Sequence, residues 1–226
     1  LAVTSAAAGA YAVTRSALSL AILSMIGAFL APAFATTDPG PTIVYGYYIA
    51  ASLMTLVLVA LRGWHALIHL SFLFTLAGGV FFAWTARYYD AAHASVTLPA
   101  TLLLAAIHVA MPLVERPVAR TGWVVRIDLA YTIGLPLVAT ALCALLAPDR
   151  SDLSVSLLLL AAVWSAAAVA IKLLGREGVA AHAVIAGLLL VLGVAARFRD
   201  LPWELLSLAM AVAALDVAGR VRRPIG

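Results

Sequence analysis

Apolar residues run along this chain in long blocks, each cut off by a charge, a proline or a glycine, and within a block they occupy every face of a helix instead of one stripe. The blocks fall at about residues 1–14, 17–35, 42–61, 64–86, 97–114, 122–147, 152–174, 178–196 and 200–219, most of them close to the roughly 20 residues that an α-helix needs to cross a bilayer. The connections between them are short, as at Arg15-Ser16, Arg62-Gly63, Asp149-Arg150-Ser151 and Gly175-Arg176-Glu177-Gly178, so consecutive spans are expected to be antiparallel neighbours. The pattern predicts an all-α fold: a polytopic transmembrane helical bundle of about nine spans, forming a single transmembrane domain over residues 1–226. The first block is too short to span and reads as the tail of a longer helix, so the chain is expected to be a segment of a longer protein.

Composition agrees with the pattern. Of 226 residues, 65% are hydrophobic and 11% charged, with a mean hydropathy of +1.10, against about 25% charged in an ordinary soluble domain. A soluble fold has one core and a polar shell, and cannot hide helices that are apolar all round. Ala, Leu, Val and Gly dominate over aromatics, which suits closely packed helices and not the alternation of a membrane barrel.

The net charge of +4 is a signal of topology before it is one of nucleic-acid binding. If loops alternate between the two sides, one side collects Arg15, Arg62, Arg116, Arg120, Arg126, Lys172, Arg176, Arg220, Arg222 and Arg223, and the other Arg87, Arg150, Arg197 and Arg199. Basic residues concentrate on the cytoplasmic side of short loops. The first group is therefore expected inside, with the C-terminal tail cytoplasmic, in a bacterial inner membrane. Trp64 and Trp123 fall at inner ends of their blocks, Trp84 and Trp203 at outer ends, and Tyr45, Tyr47, Tyr48, Tyr88 and Tyr89 cluster outside, as interfacial aromatics do. Trp164 alone sits mid-block.

Pro32 interrupts the second block, and Pro112 and Pro136 lie in or near the interiors of later ones. A proline inside a helix removes one backbone donor and bends the helix, which lipid tolerates only where neighbouring protein covers the freed carbonyl. These three positions are expected to be helix kinks at protein-packed spots, and Asp38-Pro39-Gly40-Pro41 a rigid outer turn. Such kinks either simply bend a packed helix or shape a cavity, as broken helices do in transporters.

Gly27-Ala28-Phe29-Leu30-Ala31-Pro32, a short polar turn, Tyr45-Gly46-Tyr47 opening the next block and Arg62-Gly63-Trp64 closing it together resemble a family of large bacterial multi-spanning membrane proteins filed as domain of unknown function 2339. The resemblance covers residues 17–90 and becomes diffuse beyond them. Members of that family are much longer, with many more spans, which implies that this chain is a segment or a short relative. The family pattern implies an Asn in the third span, where this chain has Ala51-Ser52. The resemblance brings no activity and no catalytic residue with it.

Ionisable groups within spans are candidates for function, because placing them in hydrocarbon costs several kcal/mol. Lys172 can snorkel to an interface, Asp216 lies four residues before Arg220, and Glu204 follows Arg197 and Arg199. Asp128 lies deeper, with Arg126 near it, and suits either an ion pair or a substrate or proton site. His65 and His69 are four residues apart and share a helix face, His108 lies at a similar inner depth, and His182 is one turn into the eighth block. These four histidines and Asp128 form a candidate polar cavity for a solute, a metal or a proton relay. The alternative is a set of separate histidines bonded to nearby carbonyls and hydroxyls. An i, i+4 histidine pair without a nearby Glu or Cys is a weak metal signal, so no metal and no cofactor is expected.

Several chemistries are set aside. Cys143 is the single cysteine, which rules out an internal disulfide and a multi-cysteine metal site. The chain has no phosphate-binding loop, dinucleotide fingerprint or serine elbow. Gly78-Gly79 reads as a helix contact, and the scattered basic residues lack the aromatic interleaving of a nucleic-acid surface. No catalytic residue is assigned. The leading expectation is a non-enzymatic, transport-like membrane module that handles a solute or lipid; the alternative is a membrane scaffold or subunit of a larger complex. An enzyme acting on a lipid-linked substrate ranks third, since the outer loop offers only Arg87-Tyr88-Tyr89-Asp90 and His93. Expected partners are membrane lipids and other membrane subunits or the remainder of a longer chain, with no nucleic acid.

Overall fold

Each of the first eight apolar blocks carries a helix in the computed structural model, which describes residues 2–34, 40–77, 93–115 and 123–198. The helices are α1 (Ala2–Arg15), α2 (Leu18–Leu30), α3 (Pro41–Arg62), α4 (Ala66–Phe72), α5 (Ala94–Val114), α6 (Trp123–Leu146), α7 (Arg150–Leu173) and α8 (Val179–Arg197). Among the described residues there is no strand. Five helices are long and apolar enough to cross a membrane: α3, α5, α6 (over Arg126–Leu146), α7 and α8. The remaining three fall short of the expected nine spans for local reasons. α1 has 14 residues and α2 has 13, while α4 is described only as far as Ala77.

The ninth block lies outside the described residues, as do Asp38 and Pro39 of the expected outer turn, Gly78-Gly79, Trp84, Arg87-Tyr88-Tyr89-Asp90, Arg116, Arg120, Arg199, Trp203, Glu204, Asp216 and the basic tail Arg220-Val221-Arg222-Arg223.

The chain divides into two compact units, Leu1–Leu146 and Ala147–Gly226. In the first, α1 and α2 form a tight hairpin through Ser16, which takes a positive φ of 53°. The Arg62 guanidinium at the end of α3 donates to the Val13 carbonyl near the end of α1. Phe29 of α2 stacks between Tyr48 of α3 (6.5 Å) and Phe74 (5.8 Å). α3 packs on α5, and α5 on α6.

Two prolines set local details of this unit. α2 gives way at Ala31 to a short 3-10 turn, Ala31–Phe34, which contains Pro32. Pro32 has no N–H to offer the carbonyl four residues back, that of Ala28. The Tyr47 hydroxyl of α3 donates to that carbonyl at 2.7 Å. The same arrangement recurs in α5, whose interior contains Pro99 and Pro112. Pro112 leaves the His108 carbonyl without its helical donor, and the Tyr131 hydroxyl of α6 donates to it at 2.8 Å. Pro136 lies inside α6.

In the second unit α7 and α8 form an antiparallel hairpin around Gly175 (φ 63°) and Gly178 (φ 105°), two positions where the left-handed backbone favours glycine. The Asp149 side chain caps α7 by accepting from the Asp152 N–H at 2.8 Å. Farther along, Ser154 Oγ donates to the Gly193 carbonyl at 2.7 Å, and Arg197 donates to Ser151 Oγ at 2.6 Å. Trp164 is buried in this hairpin unit, so its mid-block position serves interior packing and not an interface.

Candidate functional site

α3 ends at Gly63, whose φ of 66° and N–H bond to the Val59 carbonyl (2.7 Å) close the helix with a left-handed residue. The turn delivers His65 to the start of α4 and His69 one turn along it, on the same face. α5 ends at Val114, and Glu115 follows it in extended conformation, 2% exposed. Asp128 comes from the second turn of α6. Three helix ends thus bring two imidazoles and two carboxylates together at one end of the first unit.

The contacts are close. His65 Nδ1–H donates to Glu115 Oε2 at 3.0 Å, and its Nε2 lies in a short hydrogen bond with Asp128 Oδ1. His69 Nε2 lies 3.0 Å from His65 Nε2 and 3.2 Å from Asp128 Oδ1. The His65, His69 and Asp128 side chains keep between 21% and 24% of their surface exposed, so the cluster is neither sealed nor fully in solvent. The His65 and His69 rings meet edge to face, with centroids 4.7 Å apart, and Tyr131 packs its ring against His69 at 5.4 Å.

A second polar group lies deeper in the same unit. His108 is fully buried. Its Nδ1–H donates to the Leu104 carbonyl at 2.7 Å, which leaves Nε2 to accept from the Ser71 hydroxyl at 3.1 Å, with Thr75 Oγ1 at 3.3 Å. Ser71 also lies 3.4 Å from the buried Ser52 of α3. Thr75 belongs to a π-helical turn, Leu73–Ala77, that continues α4, and its hydroxyl donates to the Ser71 carbonyl at 2.7 Å. Tyr131 and Phe72 wall this group: Tyr131 donates to the His108 carbonyl, and Phe72 packs on both Tyr131 (5.3 Å) and His108 (6.4 Å).

Of the residues singled out from the sequence, the fold brings His65, His69 and Asp128 together. It places His108 in the separate hydroxyl-lined group. His182 belongs to the second unit, where its Nδ1–H donates to the Gly178 carbonyl at 3.1 Å. Glu115 escaped the sequence reading because a carboxylate at the end of an apolar block looks like an interfacial charge. Its signal was positional: the end of the fifth block, the start of the fourth and the start of the sixth fall on one side of an alternating bundle.

His65, His69 and Asp128 in mutual reach, with Glu115 bonded to His65, can hold a cation or a proton. Comparison with curated proteins and with solved structures returns no match. The model of the family described as predicted membrane protein (DUF2339) matches residues 1–224, and the chain, with its run of apolar helices, belongs to that family of membrane proteins of unknown function.

Proposed function

We propose that this membrane protein is a transport-like module that handles a cationic solute, with the His65–His69–Glu115–Asp128 cluster as its working centre. The observation that carries this reading is the pair of carboxylates, one of them 2% exposed, held against two imidazoles where three largely apolar helices end. Ionisable groups held against one another in a membrane helical bundle mark ion and proton pathways, and this cluster stands at an end of such a bundle, where an ion would enter. The π-helical turn following His69 and the prolines of α5 and α6 support it, because departures from regular helix gather at functional sites.

The orientation is part of the proposal. Nine crossings of a bacterial inner membrane, with the C-terminal tail and the cluster on the cytoplasmic side, account for the ten-to-four division of basic residues between alternating loops. Lipids, and further membrane subunits or the remainder of a longer chain, surround the apolar helices in this reading.

Flux through proteoliposomes tests it. Vesicles containing the purified protein and cation-sensitive dyes should take up at least one ion from a panel of mono- and divalent cations, and Asp128→Asn should slow that uptake at least about tenfold, the scale of losing one site-defining charge. Absence of protein-dependent flux for the whole panel would overturn transport in favour of a membrane scaffold.

A further inference from the structure

The geometry points to a binding site for a divalent first-row transition-metal ion, of the zinc and cobalt type, formed by His65 Nε2, His69 Nε2 and Asp128 Oδ1. These three atoms lie within 4.8 Å of one another. Two of their separations are 3.0 and 3.2 Å, and the third is the short His65–Asp128 contact. Ligands about 2.0–2.2 Å from such an ion stand about 2.8–3.6 Å apart, depending on whether they meet it at right or tetrahedral angles. The triangle therefore needs only a small expansion to admit the ion, which would take the place of the hydrogen bond between His65 Nε2 and Asp128 Oδ1.

The chemistry of the donors selects the class of ion. Two imidazoles with one carboxylate suit zinc, iron(II), cobalt or nickel, whereas magnesium and calcium favour sites made only of oxygen. The spacing is suited as well: His65-Ala66-Leu67-Ile68-His69 places two imidazoles on one helix face, as zinc-binding helices do, and the carboxylate they need comes from α6 instead of from between them. Three protein ligands leave at least one coordination position for water or a solute.

Glu115 supplies the remaining element. Its Oε2 accepts the His65 Nδ1–H at 3.0 Å, which fixes the ring so that Nε2 faces Asp128 and His69, its lone pair available to the ion once the hydrogen bond to Asp128 opens. A carboxylate behind a metal-bound histidine both orients the ring and raises its basicity. Glu115 is thus a positioning residue, and its 2% exposure keeps that bond away from water. The three ligand side chains, 21–24% exposed, leave a path for the ion.

The proposal rests on reading this cluster as the working centre, but its test is read on binding and not on flux, so the two fail separately. Purified protein stripped with a chelator and titrated with Co2+ should bind one ion per chain and develop the visible absorption of a low-coordinate cobalt site. His69→Ala and Asp128→Asn should each weaken binding at least about tenfold, and Glu115→Gln by about 10–100-fold. His182→Ala should leave it unchanged. X-ray absorption of the Zn2+-loaded wild-type protein should show two imidazoles, a measurement that decides the matter even if a variant does not fold. Absence of saturable Co2+ binding, binding indifferent to His69 and Asp128, or a zinc environment without two imidazoles would each overturn the assignment. Metal binding without cation flux would keep the site and remove the transport reading.

Discussion

A polar side chain in an apolar helix has to find its partner close by, and this chain does so in a few repeated ways. Thr55, Thr75, Thr97 and Thr132 each donate their hydroxyl to the carbonyl four residues back. Tyr47 and Tyr131 instead donate to the carbonyls whose i+4 donor Pro32 and Pro112 remove, that of Ala28 also accepting from the Ala31 N–H. If that is the task of the Tyr131 hydroxyl, Tyr131→Phe should destabilise the protein in detergent by about 1 kcal/mol, the scale of a hydrogen bond within a membrane bundle. The loss should shrink in a Pro112→Ala background, where residue 112 regains an N–H for the His108 carbonyl, and thermal unfolding of the four proteins of that cycle measures the coupling. Equal losses in both backgrounds would show that the contribution of the Tyr131 hydroxyl does not depend on the donor that Pro112 removes from the His108 carbonyl. At this scale the sequence was informative about position and poor about partners. The i, i+4 spacing put His65 and His69 on one face, and Pro32 pointed to the Ala28 carbonyl that the Tyr47 hydroxyl meets. Nothing in a linear reading attached Glu115 to His65, fifty residues away, or distinguished His108, which is held by hydroxyls, from the histidines that meet carboxylates.

Whole elements were legible because a helix in lipid must be apolar over its full length and must satisfy its own backbone. Eight of the apolar blocks carry helices, and among the described residues the turns at Ser16, Gly63, Asp149, Gly175 and Gly178 fall where glycines and polar residues bounded them. Ends were less legible. Pro32 stops α2 two positions earlier instead of merely bending it, and α4 passes into a π-helical turn at Leu73 that no residue type announces. Helix contacts depend on single small residues that a composition count cannot rank. Gly193 is such a residue: a Cβ there would stand 3.0 Å from the Leu158 side chain and 3.3 Å from Leu157 Cβ, beside the Ser154 bond to the Gly193 carbonyl. Gly193→Val should therefore separate α7 from α8 and lower the unfolding temperature, with a cost of about 1–3 kcal/mol from overpacking. Gly187→Val is the control, because nothing lies within 4 Å of a Cβ at that position in the same helix. Equal effects at the two positions would mean that helix propensity, and not the α7–α8 contact, sets the loss.

For the molecule as a whole, the side of the membrane on which each turn lies decides whether the histidine and carboxylate cluster meets the cytoplasm. In the proposed orientation it does, since Arg62 lies three residues before His65 and Arg126 two before Asp128, both in the basic-rich set of loops. α7 offers a clean test, because it is 24 residues long and exposes Arg150 at one end, with the exposed Glu177 just past the other. Cys143 is buried and is the chain's only cysteine, so a Cys143→Ser background carries no native thiol. In that background, Arg150→Cys should react with a membrane-impermeant maleimide from outside intact cells, and Glu177→Cys only after the membrane is opened. The reverse pattern would invert the protein and put the proposed metal site on the outer face, open to ions from outside the cell. Labelling of both from one side would mean that α7 does not cross. The expected pattern makes the cytoplasm the compartment that reaches the site directly, so an impermeant chelator should strip a metal held there only from vesicles whose Glu177 side faces it.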